Sequence, residues 1–266
     1  MLEVNALEFG FDRPLVTGLR FSVPKGQIRL LHGASGCGKS TLLALISRTE
    51  IANVNWAGDI RLDGVDIGAL PAHQRQIGLM YQDALLFPHL TVGENLAFGL
   101  APSIRGKARY AAVQGALAAA SLDGFGERDP ASLSGGQAAR IALMRALLAA
   151  PKALLMDEAF SSLDPELRRQ FGHFVADQIK LRQIPALLVS HDAADSGSNS
   201  VHNAQLEPQR RFIIAIASMR QCRIRSAATA AMPHFSEAAM PHACQSNIAR
   251  VARRSGDAAR VTRRSG

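Results

Sequence analysis

Apolar and polar residues alternate from the start of the chain. Between Leu2 and Val23 apolar side chains recur at every second position, as in Leu7, Phe9, Phe11 and again in Leu19, Phe21, Val23. Asp12-Arg13-Pro14 and Pro24-Lys25-Gly26 punctuate the runs. A period of two with turn residues between predicts antiparallel strands. Gln27 to His32 reads as another strand, Thr41 to Ser47 as a helix, and Gly58 to Gly64 and Ile77 to Tyr81 as two more strands, with Gln82 at the carboxyl end of the last. From Val92 to Leu122 the period becomes helical and alanine-rich, interrupted by Gly106 and Gly115 and closed by Asp129-Pro130. This predicts a helical insertion over roughly residues 84 to 130. Ala153 to Met156 and Ala186 to Val189 are unbroken apolar runs, as expected of strands buried on both faces of a parallel sheet. The first runs into Asp157-Glu158 and the second into Ser190-His191-Asp192. Strands alternating with helices and releasing polar residues at their carboxyl ends predict an α/β fold whose ligand lies along that edge.

The stretch Gly33-Ala34-Ser35-Gly36-Cys37-Gly38-Lys39-Ser40, followed by Thr41, sits between a predicted strand and a predicted helix. Glycines at these positions let the backbone turn its N–H groups inward, and the positive end of the following helix favours phosphate oxygens. In this pattern the lysine, here Lys39, reaches the β- and γ-phosphates, and the hydroxyl, here Ser40, faces a magnesium ion. A P-loop NTPase core follows. Kinase, GTPase, helicase and transporter ATPase all remain open on this motif alone.

A chain of 266 residues can bury a full core without disulfides. Its three cysteines, Cys37, Cys222 and Cys244, form no CxxC pair, which argues against a disulfide framework or a thiolate zinc site. No segment reads as a secretory leader and no apolar run reaches the ~20 residues of a membrane span, so the chain is expected to be neither secreted nor membrane-spanning. The net charge of +8 is unevenly placed. Residues 1 to 192 carry 19 Lys and Arg against 18 Asp and Glu, whereas residues 193 to 266 carry 11 against 4, all 11 of them arginines. The basicity therefore belongs to the tail.

The stretch Leu133-Ser134-Gly135-Gly136-Gln137 narrows the reading of the phosphate loop. With the loop, Gln82 in Tyr81-Gln82-Asp83, Asp157-Glu158, Ser162-Leu163-Asp164 and His191, it makes a series in which the chain from about Leu2 to Asp192 resembles the ATP-binding subunits of ABC transporters. Leu86 to Asn95 resembles the importer branch, in particular the thiamine, molybdate, iron and sugar uptake ATPases. The resemblance implies ATP and Mg2+ as ligands. It implies that Gly33 to Thr41 hold the phosphates, that Ser40 and Gln82 ligate the metal, and that Asp157 positions the metal through water. Glu158 would act as general base and His191 would touch the γ-phosphate and the base. It further implies a head-to-tail homodimer in which Ser134, Gly135, Gly136 and Gln137 of one copy cover the nucleotide of the other, with Asp164 coupling the two sites. A helix is expected to begin near Gln137. Phe11 is the expected adenine-stacking ring, with Phe9 as its rival. Integral membrane permeases are the expected partners, docking near Gln82 and Asp83 to Val92, with a solute-binding protein reached through them and the protein held at the cytoplasmic face of the inner membrane. Nucleic acid is not an expected partner. Ala159 stands where the family usually has proline, and Ala138 where a longer polar residue is usual.

After Asp195 the family pattern stops, so the domain boundary is drawn at residues 1 to 195. Residues 196 to 266 hold Arg, Ala, Ser, His and Met in no period and close on two near copies, Ala249 to Gly256 and Ala259 to Gly266. A disordered basic arm and a shifted reading frame both account for such a tail; the second accounts better for an abrupt loss of pattern where strands are still due. Two other function classes stay open here: a soluble non-transport ABC ATPase acting on nucleic acid, and a truncated, inactive product.

Overall fold

The computed structural model describes residues 1–49, 52–190 and 201–206, all within the unit Met1–Ser218. His191, Cys222, Cys244 and the remainder of the arginine-rich tail lie outside the described residues, and with them the basic-arm reading.

Strands β1 (Leu2–Gly10), β2 (Pro14–Val23), β4 (Asn55–Leu62) and β5 (Val65–Asp66) form an antiparallel sheet in the order β2-β1-β4-β5. The alternation that predicts β1 is the alternation that buries it: Leu2, Val4, Leu7 and Phe9 are all buried. Ala6 takes φ 49° and the β1–β4 register slips between Asn5 and Glu8, a bulge that bends the strand.

The second sheet is parallel, in the order β6-β7-β8-β3-β9, with β3 at Ile28–Gly33, β6 at Ile77–Met80, β7 at Ala153–Asp157, β8 at Ala186–Ser190 and β9 at Val201–Leu206. Val201–Leu206 lies beyond the boundary drawn at residue 195, yet its backbone runs in register along the whole of β3, from Ile28 opposite Val201 to Gly33 opposite Leu206. The six residues carry no clear strand signal of their own. An edge position beside β3 gives them backbone partners that periodicity does not reveal.

Both faces of this sheet are covered. Leu31, Leu155, Leu187 and Val189 face the antiparallel sheet and helix α1 (Lys39–Ser47). Leu30, Leu154, Met156 and Leu188 face a helical layer on the other side. Successive residues of a strand point to opposite faces, so a strand filled with apolar residues requires two apolar layers. The helical layer holds α3 (Val92–Phe98), α4 (Gly106–Ala119), α5 (Gly135–Leu148) and α6 (Pro165–Arg182). A short helix α2 (Ala72–Arg75) precedes β6. Among the described residues no helix is long and apolar enough to cross a membrane.

Two expectations about helix limits change. Gly115 does not interrupt the helical stretch; it lies inside α4, while Gly106 begins that helix at φ +56°. Helix α5 starts at Gly135 rather than near Gln137, because Ser134 caps it. Gly99 caps α3, and packing requires glycine there: a Cβ would stand 2.2 Å from the Arg145 carbonyl oxygen of α5. Backbone, not a flexible side chain, occupies that space.

Arg75 is 1% exposed and ties α1 to the strand region. Its Nη1 donates to the carbonyls of Leu45 and Ile46 at 2.7 and 2.8 Å, its Nε to Leu70 at 2.8 Å and its Nη2 to Gly68 at 2.6 Å. Burial, and secondarily the charge of Arg48, lowers its guanidinium to about 10, still charged at neutral pH. A cation there also offsets the negative end of α1. Arg75→Met strands these carbonyls, and urea denaturation should show a loss of about 3 kcal/mol of stability.

Candidate functional site

The carboxyl edge of the parallel sheet gathers the chemistry. β3 ends at Gly33, and the loop that follows returns as α1 at Lys39. Gly38 takes φ 97° at the N-cap, and a Cβ there would come within 2.9 Å of Leu15 Cδ2 and 3.0 Å of Phe9 Cε2. Both the left-handed backbone and the closeness of the first sheet require glycine. Gly36 takes φ 78° with nothing within 4 Å of an added Cβ, so its side is open. The Cys37 N–H donates to the Ala34 carbonyl at 3.3 Å, and the Cys37 side chain is buried. Lys39 is buried, with its ammonium donating to the carbonyls of Gly33 at 2.7 Å and Ala34 at 2.9 Å. The loop thus bends round its own cation.

Strand β7 brings Asp157 to the same place. Its carboxylate shares a cavity wall with the Ser40 side chain, and its Oδ1 is buried with no hydrogen-bond partner. Burial raises the Asp157 carboxyl above the ordinary range; the Ser40 hydroxyl and the Lys39 charge pull it back, and Glu158 pushes it further up. A half-buried carboxylate with an unused oxygen, beside a hydroxyl, offers oxygen ligands of the kind a hard divalent cation takes. A cavity of about 310 Å³ opens here, lined in part by Ser40, Thr41, Tyr81 and Asp157.

Glu158 follows with φ 50°, a left-handed backbone that no proline or glycine predicts. Its N–H donates to the Val189 carbonyl at 2.9 Å, and its own carbonyl accepts from the Ser161 N–H at 3.0 Å and Ser161 Oγ at 2.7 Å. Such a conformation costs roughly 1–3 kcal/mol and persists only where neighbours hold it. Ala159, buried behind it, closes that turn.

Gln82 is exposed, and its backbone carbonyl accepts a long bond, 3.5 Å, from Ser162 Oγ. Asp164 caps α6: its Oδ1 accepts from the N–H groups of Glu166 and Leu167 at 3.1 and 2.9 Å. Phe9 is 1% exposed and belongs to the core behind Gly38, whereas Phe11 is 43% exposed. Phe11 borders a hollow of about 350 Å³ together with Pro14, Asn55 and Trp56. The chain's single tryptophan escapes sequence reasoning because β4 is brought opposite β1 only by sheet pairing, Phe9 against Trp56.

The signature stretch lies elsewhere. Ser134 and Gln137 form a reciprocal cap on α5, the Ser134 N–H donating to Gln137 Oε1 at 3.0 Å and the Gln137 N–H to Ser134 Oγ at 3.4 Å. A cavity of about 230 Å³ borders Ser134, Gly136, Gln137 and Arg140. It shares no residue with the cavity at Ser40 and Asp157. The structure therefore brings Lys39, Ser40, Asp157 and Glu158 together and leaves Ser134 to Gln137 at a second location. Leu15 behind Gly38 and Ser161 on the Glu158 carbonyl support the sheet edge without any motif to mark them.

Comparison with known proteins agrees with this geometry. The ABC transporter family profile matches residues 16–161. The uncharacterized ABC transporter ATP-binding protein YnjD of Escherichia coli K12 is 46% identical over 186 residues, covering 70% of this chain and 86% of the relative. The putrescine transport ATP-binding protein PotG of the same strain is 39% identical over 198 residues, and the Fe(3+) ions import ATP-binding protein FbpC 3 of Rhodococcus jostii RHA1 is 42% identical over 200. These matches cover 74% and 73% of this chain, which spans only 52% and 56% of those two relatives. With a P-loop NTPase core in place and these relatives beside it, the chain belongs to the ABC transporter family as one of its ATP-binding ATPases.

Proposed function

We propose that the chain is the ATP-hydrolysing subunit of an ABC importer, working as a head-to-tail homodimer beneath membrane permeases. The observation that carries the ATPase half is the meeting of Lys39, Ser40, Asp157 and Glu158 at one sheet edge. The importer half rests on relatives named for putrescine and Fe(3+) transport. Permeases, a solute-binding protein reached through them, and a place at the cytoplasmic face of the inner membrane follow from that reading.

Lys39 and the N–H groups of Gly33 to Thr41 hold the β- and γ-phosphates. Lys39 is already at the loop mouth on two carbonyls, and transferring its ammonium to phosphate oxygens exchanges neutral acceptors for charged ones. Ser40, Asp157 and Gln82 would hold Mg2+, and the unused Asp157 Oδ1 is the feature that fits it. When bound, the ion neutralises charge on the β- and γ-phosphate oxygens. Glu158 orients the attacking water and accepts its proton, and its left-handed backbone is held by bonds to Val189 and Ser161. His191 is assigned contact with the γ-phosphate and lies outside the described residues. Phe11 stacks on adenine at the mouth of its hollow.

Separation of the signature cavity from the phosphate loop supports the dimer reading. Ser134, Gly135, Gly136 and Gln137 complete the site of a second copy, and Asp164, capping α6, sets the turn between the two. ATP closes the pair and hydrolysis releases it, which shifts the population of permease conformations.

Glu158→Gln should cut steady ATP turnover by at least about a hundredfold while leaving ATP binding intact. The variant should also accumulate as a dimer with ATP in sedimentation velocity. Hydrolysis near the parent rate would refute the assignment of the base. Asp157→Asn removes a half-buried carboxylate whose proton affinity the fold has raised, so its charge opposes folding by an amount that builds as pH rises from the ordinary carboxylate range to the raised value and is fully present above it. In metal-free buffer at neutral pH this variant should melt about 2 °C higher than the parent, yet lose the stabilisation that the parent gains from Mg2+ and ATP.

A further inference from the structure

The segment from Asp83 to Thr91, between β6 and α3, has neither helix nor strand, and two side chains hold its backbone. Asn95 of α3 is fully buried. Its Nδ2 donates to the carbonyls of Phe87, Leu90 and Thr91 at 3.1, 3.2 and 3.0 Å, and its Oδ1 accepts from the Phe87 N–H at 2.8 Å. Arg145, in the last turn of α5, supplies the other hold. Its Nη2 donates to the carbonyls of Leu85 at 2.9 Å and Ala84 at 3.3 Å, and its Nη1 to Asn95 Oδ1 at 3.3 Å. The guanidinium also lies over the Phe87 ring at 5.0 Å. The far end of α5 is the capped Ser134, about 16 Å away along the helix axis.

We propose that Arg145 is a positioning residue that transmits movement of the signature helix to the segment following Gln82. Helix α5 is continuous from Gly135 to Leu148, so a shift at Ser134 is carried along it with little bending. At its C-terminal end Arg145 is bound to Ala84 and Leu85 by charge-assisted bonds rather than by apolar packing alone, and such bonds have direction. Asn95 passes the constraint on to Phe87 and Leu90 through shared partners. Packing adds a stop: the Arg145 carbonyl lies where a Gly99 side chain would be, so α3 cannot slide past α5 without meeting backbone. Movement at the nucleotide-facing end of α5 therefore becomes movement of the surface between residues 84 and 91. This rests on the proposed dimer reading, which supplies the force at Ser134.

Hydrogen–deuterium exchange of the full chain carrying Glu158→Gln, with and without ATP and Mg2+, tests it. The comparison is among Arg145, Arg145→Met and Arg145→Lys. ATP is expected to slow exchange at residues 133–137 in all three. With Arg145 it should also alter exchange at residues 84–91, and Arg145→Met should reduce that second response about fivefold, with Arg145→Lys falling between. A response at 84–91 that survives Arg145→Met at parent size overturns the link, as does a parent response at 133–137 with none at 84–91. No response at 133–137 in the parent overturns the dimer reading instead. If Arg145→Met does not fold, Arg145→Lys is read by the same criteria, since it keeps the charge and stem but loses the fork that reaches two carbonyls.

Discussion

Parallel pairing of β3 with β8, and of β8 with β7, places the end of each strand at one edge of one sheet. Leu30 and Leu31 of β3 stand beside Leu188 and Val189, and Met156 and Asp157 beside Leu188 and Val189 from the other side. Because all three strands run the same way, Gly33 and Asp157 emerge together, and Ser40 at the start of α1 can reach the Asp157 carboxylate. A strand reversed in this sheet would send its polar end to the opposite edge. The apolar layers on both faces are what hold the register, since a slip by one residue would exchange the inward-facing sets of the two cores.

The edge itself gathers several costs in one place. A buried ammonium at Lys39 is satisfied only by carbonyls, Asp157 keeps one oxygen unpaired, and Glu158 sits in a left-handed backbone. Each costs free energy in the folded chain, and the surrounding sheet core offsets it. An anionic ligand at this edge would give the ammonium charged acceptors in place of carbonyls. Preorganisation here means that the protein holds charges where a ligand will complete them.

The helical layer is built differently. α3, α4 and α5 meet through Gly99, Asn95 and Arg145, and the segment before α3 depends on side-chain donors for its backbone bonds. A loop held by side chains responds to the elements that carry them, whereas a strand held by its neighbours does not. The sheet edge can thus stay rigid while the surface at residues 84 to 91 follows the signature helix.

Local order determined much of this. Period-two alternation marks β1 and β2, apolar runs mark β7 and β8, and the spacing of glycines before Lys39 marks the phosphate loop, because each depends on residues close in the chain. Fold class and family were legible for the same reason. Tertiary structure alone decided that Phe9 is core while Phe11 is exposed, that Trp56 faces the same hollow, and that Gly115 lies within a helix. It alone showed the left-handed Glu158, the shared cavity of Ser40 and Asp157, and the pairing of Val201–Leu206 with β3. Asn95 closes the importer-like stretch but nothing there links it to Arg145, fifty residues on, since hydrogen bonds to backbone carbonyls leave no pattern in the sequence of the residues that accept them. The phosphate loop was readable because its residues are consecutive; that the Ser134 cavity lies apart from it within one chain was decided by the fold, because packing alone places residues so far apart in sequence.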